Sequence, residues 1–78
     1  MPMTKRELLE HLAEVEEADA QEVAAAFGVP YPAAAMALLR LVRQGLAARS
    51  IDPHREMYWY ALTDRGQARL EYLRELDG

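Results

Sequence analysis

The 78-residue chain contains no cysteine, and that one absence removes disulfide staples, thiolate metal sites and a cysteine nucleophile together. Four glycines and four prolines are too few for a linker or a low-complexity stretch and act as punctuation instead. No apolar run approaches the roughly 20 residues that cross a bilayer. The start, Met1-Pro2-Met3-Thr4-Lys5-Arg6-Glu7, is charged where a signal peptide would be apolar. A cytoplasmic chain with no membrane partner is expected. A Gly-rich phosphate loop, a nucleophile elbow and an HExxH pair are also missing, so no catalysis, cofactor or metal is expected. Basic charge is the last shortage: nine Lys and Arg stand against 13 Asp and Glu, a net charge of −4, which argues at first against nucleic acid.

What is present points to one folded domain over residues 1–78, with 51% hydrophobic and 28% charged residues. The acid is unevenly placed. Residues 1–27 hold seven acidic and two basic side chains, whereas residues 28–62 hold Arg40, Arg43, Arg49 and Arg55 against only Asp52 and Glu56. The middle of the chain is therefore mildly basic.

Thr4-Lys5-Arg6-Glu7 has the form of a capping box, in which a hydroxyl and a carboxylate three residues on satisfy each other's backbone N–H groups. Leu8, Leu9, Leu12 and Val15 follow at helical spacing and predict a first helix over about residues 5–16. Asp19-Ala20-Gln21-Glu22 repeats the capping pattern ahead of a short second helix, which Gly28 ends. Gly28-Val29-Pro30 is a turn, and Pro32 suits the first turn of a third helix that runs unbroken to Gln44. Ala34, Leu38 and Leu41 form its inward stripe, Gly45 stops it, and Leu46 returns to the core. The period then changes from helical to alternating. Residues 47–51 and 57–62 read as two strands joined by a turn over residues 52–56. Alternation puts Tyr58, Tyr60 and Leu62 on the core face, with Met57, Trp59 and Ala61 on the outer face. Thr63 caps a last helix with apolar positions Ala68, Leu70, Leu73 and Leu76. The predicted fold is mainly α with a small β-hairpin, in the order α-α-α-β-β-α.

The segment from Gly28-Val29-Pro30-Tyr31-Pro32 through Leu38, Leu41 and Gly45-Leu46 resembles the helix-turn-helix of winged-helix bacterial regulators of the MarR and PadR type. Tyr60-Ala61-Leu62-Thr63-Asp64-Arg65-Gly66 is similar to the strand-to-helix Leu-Thr-x-x-Gly of the same proteins. The resemblance implies a winged helix-turn-helix that binds duplex DNA, with the third helix in the major groove and the hairpin as a wing. It places recognition positions at Tyr31, Ala33, Ala35, Met36 and Arg40, with Arg43 toward the helix end. Arg55 is the implied wing arginine beside His54, and Arg40, Arg43, Arg49 and Arg55 are the candidate phosphate contacts. Here the chain departs from the pattern: base edges are read by paired donors and acceptors, and Ala33, Ala35 and Met36 have none.

A second expectation therefore stands beside DNA binding. Leu39, Met36, Met57 and Trp59 form an apolar set suited to a protein partner. Leu70, Leu73 and Leu76 on the last helix either pack back on the first helix or pair with a second copy as a homodimer. Small winged-helix accessory proteins of iron transport are similar in size, but they carry wing cysteines that this chain lacks.

Overall fold

The computed structural model describes residues 3–77. Its elements follow the order α1 (Lys5–Val15), α2 (Ala20–Phe27), α3 (Tyr31–Arg43), β1 (Ala47–Asp52), β2 (Met57–Leu62) and α4 (Asp64–Asp77). This is the α-α-α-β-β-α order expected from the periodicity. Both N-terminal capping boxes form. In α1, Glu7 N–H donates to Thr4 Oγ1 and Thr4 N–H to Glu7 Oε1, each at 3.1 Å. In α2, Glu22 N–H donates to Asp19 Oδ1 at 2.7 Å and Asp19 N–H to Glu22 Oε1 at 3.0 Å. Each pair satisfies backbone donors that helix geometry would otherwise leave open.

The core lies where the three N-terminal helices, the root of the hairpin and α4 meet. Leu8, Leu9 and Leu12 of α1 are buried against Val23, Ala34, Leu38, Leu41, Leu46 and Leu70. Removing one of these leucine side chains deletes its apolar transfer energy and leaves a cavity, a combined cost of about 2–5 kcal/mol. Val15 departs from the expectation. It is 42% exposed because α1 ends there and the chain turns away through Glu16, whose φ is 70°.

The two strands pair antiparallel with Ala47 opposite Leu62 and Asp52 opposite Met57. A third segment joins them that alternation did not reveal. Ala18 N–H donates to the Tyr60 carbonyl at 2.9 Å, and Tyr60 N–H donates back to the Ala18 carbonyl at 2.8 Å. A single residue between α1 and α2 is too short to show a period of two, but it ties the start of α2 to the middle of β2.

Tyr58 corrects the expected core face of β2. Tyr60 is buried and Leu62 packs on the core, yet Tyr58 is 43% exposed. Alternation fixes only the side of the sheet, and the hairpin runs outward past the helices, so Tyr58 has left the core. Met57 and Trp59, expected on an open outer face, are half-buried. In α4, Leu70 is fully buried and Leu73 packs on the core, while Ala68 is exposed and Leu76 is 64% exposed. Leu70 is therefore withdrawn from any interface between copies, because α4 packs back on α1. The tie of Arg74 Nε to Glu10 Oε1 at 2.8 Å joins the same two helices. Among the described residues, no single helix is long and apolar enough to cross a membrane.

Candidate functional site

The turn between α2 and α3 sets the site. Gly28 adopts φ 63°, ψ 36°, and its N–H donates to the Ala24 carbonyl, closing α2. A Cβ there would meet nothing within 4 Å, so glycine is needed for its left-handed backbone and not for space. Across this break α2 and α3 bend by 115°, within the range of helix-turn-helix units. Pro30 occupies the N-cap of α3, and its carbonyl accepts from Ala33 N–H at 3.0 Å and Ala34 N–H at 3.2 Å.

α3 begins differently from the other helices. It has no side-chain cap and no acidic residue in its first turn. By contrast, α1 and α2 carry capping boxes with Glu7 and Glu22, and α4 has Asp64 in its first turn. The partial positive charge of a helix N-terminus is thus locally neutralised in three helices and left open in α3.

Of the positions the sequence assigned to recognition, Tyr31 is 58% and Met36 45% exposed, and Ala33, Arg40 and Arg43 are also exposed. Ala33, Met36, Arg40 and Arg43 recur at helical spacing and make one outer stripe that becomes cationic in its last two turns. Ala35 does not belong to it, since this side chain packs against the core. Leu39 is half-buried, which leaves Met36 as the one exposed residue on this helix of the apolar set expected for a protein partner.

The wing lies beside the start of α3. Tyr31 lines a cleft of about 300 Å³ together with Asp19 and Ala20 of the α2 entry and Glu56, Tyr58 and Tyr60 of the hairpin. Within the wing, Arg49 is held with its guanidinium carbon 4.3 Å from the Tyr58 ring centroid. This cation–π contact explains how an exposed tyrosine is used, and it fixes the direction of Arg49. The sequence offered no sign of it beyond an arginine and a tyrosine on the same strand face.

Asp52 organises the wing tip. Its Oδ1 accepts from His54 N–H at 2.9 Å, its Oδ2 accepts from the Trp59 indole N–H at 3.3 Å, and its carbonyl accepts from Glu56 N–H at 2.9 Å. The His54 N–H, then the Trp59 indole, hold the Asp52 carboxyl below its ordinary pKa of 3.8. Trp59 is thus an internal strut of the hairpin more than an interface anchor. Pro53, His54, Arg55 and Glu56 are all exposed at the tip, with Glu56 at φ 54°.

The Leu-Thr-x-x-Gly segment joins the wing to α4. Thr63 Oγ1 donates to the Gly45 carbonyl at 2.6 Å and accepts from Gly66 N–H at 3.0 Å, while Thr63 N–H donates to the Leu46 carbonyl at 3.1 Å. A Cβ on Gly66 would lie 1.9 Å from the Leu46 carbonyl oxygen. Residues 45 and 46 at the end of α3 are therefore clamped to the first turn of α4, and only glycine permits that approach. His11, the other histidine, stacks edge-on to Phe27 with centroids 5.4 Å apart. Among the described residues no group of three His, Asp or Glu is placed to hold a metal.

No family model matches the sequence, and no curated protein does. Solved structures match it throughout. A cysteine-to-serine mutant of MarR from E. coli, complexed with operator DNA, superposes with TM-score 0.88 at 23% identity over 100% of this chain and 56% of its own. A MarR family transcriptional regulator from Silicibacter pomeroyi matches with TM-score 0.82 at 29% identity over 96% of this chain and 51% of its own. The YusO protein from Bacillus subtilis matches with TM-score 0.80 at 25% identity over 86% of this chain and 48% of its own. The chain has the winged-helix fold of these proteins and spans about half of their length.

Proposed function

We propose that this chain is a duplex-DNA-binding winged helix of a MarR-type transcription regulator. The observation that carries the proposal is the open N-terminus of α3, without a side-chain cap and without acid in its own first turn, exposed beside a wing that bears Arg49 and Arg55. A helix end of that kind attracts phosphate, and a neighbouring cationic hairpin extends the contact along the backbone. The operator complex of the E. coli MarR mutant, whose fold the chain shares, supports the same reading.

In this mechanism Tyr31, Ala33 and Met36 face the major groove. Arg40 and Arg43 at the end of the outer stripe meet the backbone. Arg49, oriented by Tyr58, and Arg55 with His54 at the tip reach phosphates from the wing. The reading of sequence is weak by construction, since alanine and methionine can only touch a thymine methyl. Affinity then rests on phosphate contacts and falls steeply with salt. The domain's part is binding and not catalysis.

Fluorescence anisotropy with labelled duplexes tests the wing. Arg55→Glu replaces an attraction by a repulsion at an exposed tip, and it should weaken every duplex alike by about tenfold or more, the size of a lost charge-assisted contact. Unchanged affinity would remove the wing from the interface.

A further inference from the structure

A second cleft lies at the opposite end of α3 from its open N-terminus. It has a volume of about 300 Å³ and is lined by Lys5, Arg43, Gln44, Leu46, Arg65 and Arg69. Three elements supply its cations: the first residue of α1, the last of α3, and the first two turns of α4. Four of the nine Lys and Arg in a chain of net charge −4 meet here, and among the described residues no carboxylate lines the cleft. Asp64 is next to Arg65 in sequence but is not part of the wall. Among the described residues, none of the four cations enters an ion pair or a side-chain hydrogen bond, in contrast to Arg74, which is tied to Glu10.

We propose that this cleft binds a small phosphate-bearing anion, separately from the duplex. Like charges gathered without a counter-charge repel one another, and a multivalent anion relieves that repulsion while giving each guanidinium an acceptor. Arginine is the suited residue, because its planar fork meets two phosphate oxygens at once. The walls are already in place. The Thr63–Gly45 hydrogen bond and the close approach of Gly66 to Leu46 hold the start of α4 against the end of α3. Arg65 consequently lies across Gly45, with Nη1 3.5 Å and Cδ 3.6 Å from where a Cβ would stand. Lys5 and Arg65 also sit in the first turns of their helices, whose N-terminal partial charge has the same sign. Gln44 adds an amide donor, and buried Leu46 forms the floor. Arg43 is the one residue shared with the outer stripe of α3, so the cleft borders the proposed DNA face without coinciding with it.

The test is an amide-shift NMR titration of the chain with inorganic pyrophosphate, the ionic strength being held constant with chloride. The expected result is a saturable shift of the amides of residues 43–46 and 63–69. Arg69→Gln should weaken the affinity by about tenfold or more, as loss of a charge-assisted hydrogen bond requires. Arg74→Gln removes the same charge from the other face of α4 and should leave the affinity unchanged; Arg65→Gln provides a second cleft variant. Unsaturated shifts spread over all cations, or equal losses in R69Q and R74Q, would overturn the proposal. These arms stand whether or not the chain binds DNA. Adding a short duplex to the pyrophosphate-saturated protein separates the two sources of phosphate. If the cleft amides keep their positions, the ligand is a free anion; if the duplex displaces pyrophosphate and moves those amides itself, the cleft is a backbone contact and the free-anion site is overturned.

Discussion

Gly66 has no room for any side chain. A methyl group at 1.9 Å from the Leu46 carbonyl oxygen lies well inside contact distance, and the obstacle is backbone that cannot swing aside. Gly66→Ala must therefore push α4 away from the 45–46 turn and break the Thr63 bridge to Gly45. A loss of about 3 kcal/mol is expected, at the upper end for a single overpacking change, and urea unfolding checks it. Stability within about 0.5 kcal/mol of the parent would contradict the clamp. Asp52 makes a different kind of prediction. The folded carboxyl titrates below its ordinary 3.8, chiefly because His54 N–H donates to the ionised form. Its contribution to the hairpin is present above the ordinary value and is lost as pH falls through the lowered folded value. The indole N–H resonance of Trp59, bonded to Asp52, should hold steady down to the ordinary carboxylate range and move only below it. A midpoint at or above 3.8 would mean that the tip contacts do not hold in solution.

At the scale of elements, the sequence was most readable where local chemistry acts alone. The two capping boxes, the Gly28 stop, Pro32 in the first turn of α3 and the switch of period at residue 47 each follow from bonding within four residues. It was least readable where an element leaves the body of the protein. Periodicity put Val15 and Leu76 on apolar stripes, but a stripe is buried only where another element packs on it, and both residues lie exposed at the last turns of their helices. Alternation likewise gave Tyr58 the correct side of the sheet and no information on how far the hairpin extends beyond the core. The cationic cleft was hidden for a related reason. Lys5, Arg43, Arg65 and Arg69 are far apart in sequence, and tertiary packing brings their elements together: α1 against α4, and the Thr63 and Gly66 contacts between α4 and the end of α3. The outer stripe of α3, by contrast, was legible at Ala33, Met36, Arg40 and Arg43, with Ala35 the one position turned inward. If α3 enters the groove as proposed, with no bidentate base reader at Ala33 and Met36 and with Arg40 and Arg43 on the backbone, it should bind unlike duplexes with affinities within about tenfold of one another, since each missing bidentate pair removes about 1–3 kcal/mol of discrimination. Competition anisotropy with A·T-rich and G·C-rich duplexes measures the ratio, and a difference of a thousandfold would show that the helix reads base edges directly and overturn the backbone assignment of Arg40 and Arg43.

For the whole molecule, charge is arranged by face. The acid of residues 1–27 lies largely on α1 and in the caps of α1 and α2, and the cations gather on α3, the wing and the cleft beside α4. A net charge of −4 then coexists with a local surface that attracts phosphate, because screening limits the reach of distant acid to about 8 Å at physiological salt. An amide-shift NMR titration with a short duplex at low and at moderate salt tests this arrangement most directly. Duplex binding through α3 and the wing should give shifts confined to residues 31–43 and 49–58, with affinity falling steeply as salt rises. No shift at low salt, or shifts centred on α1 and the outer face of α4, would contradict it.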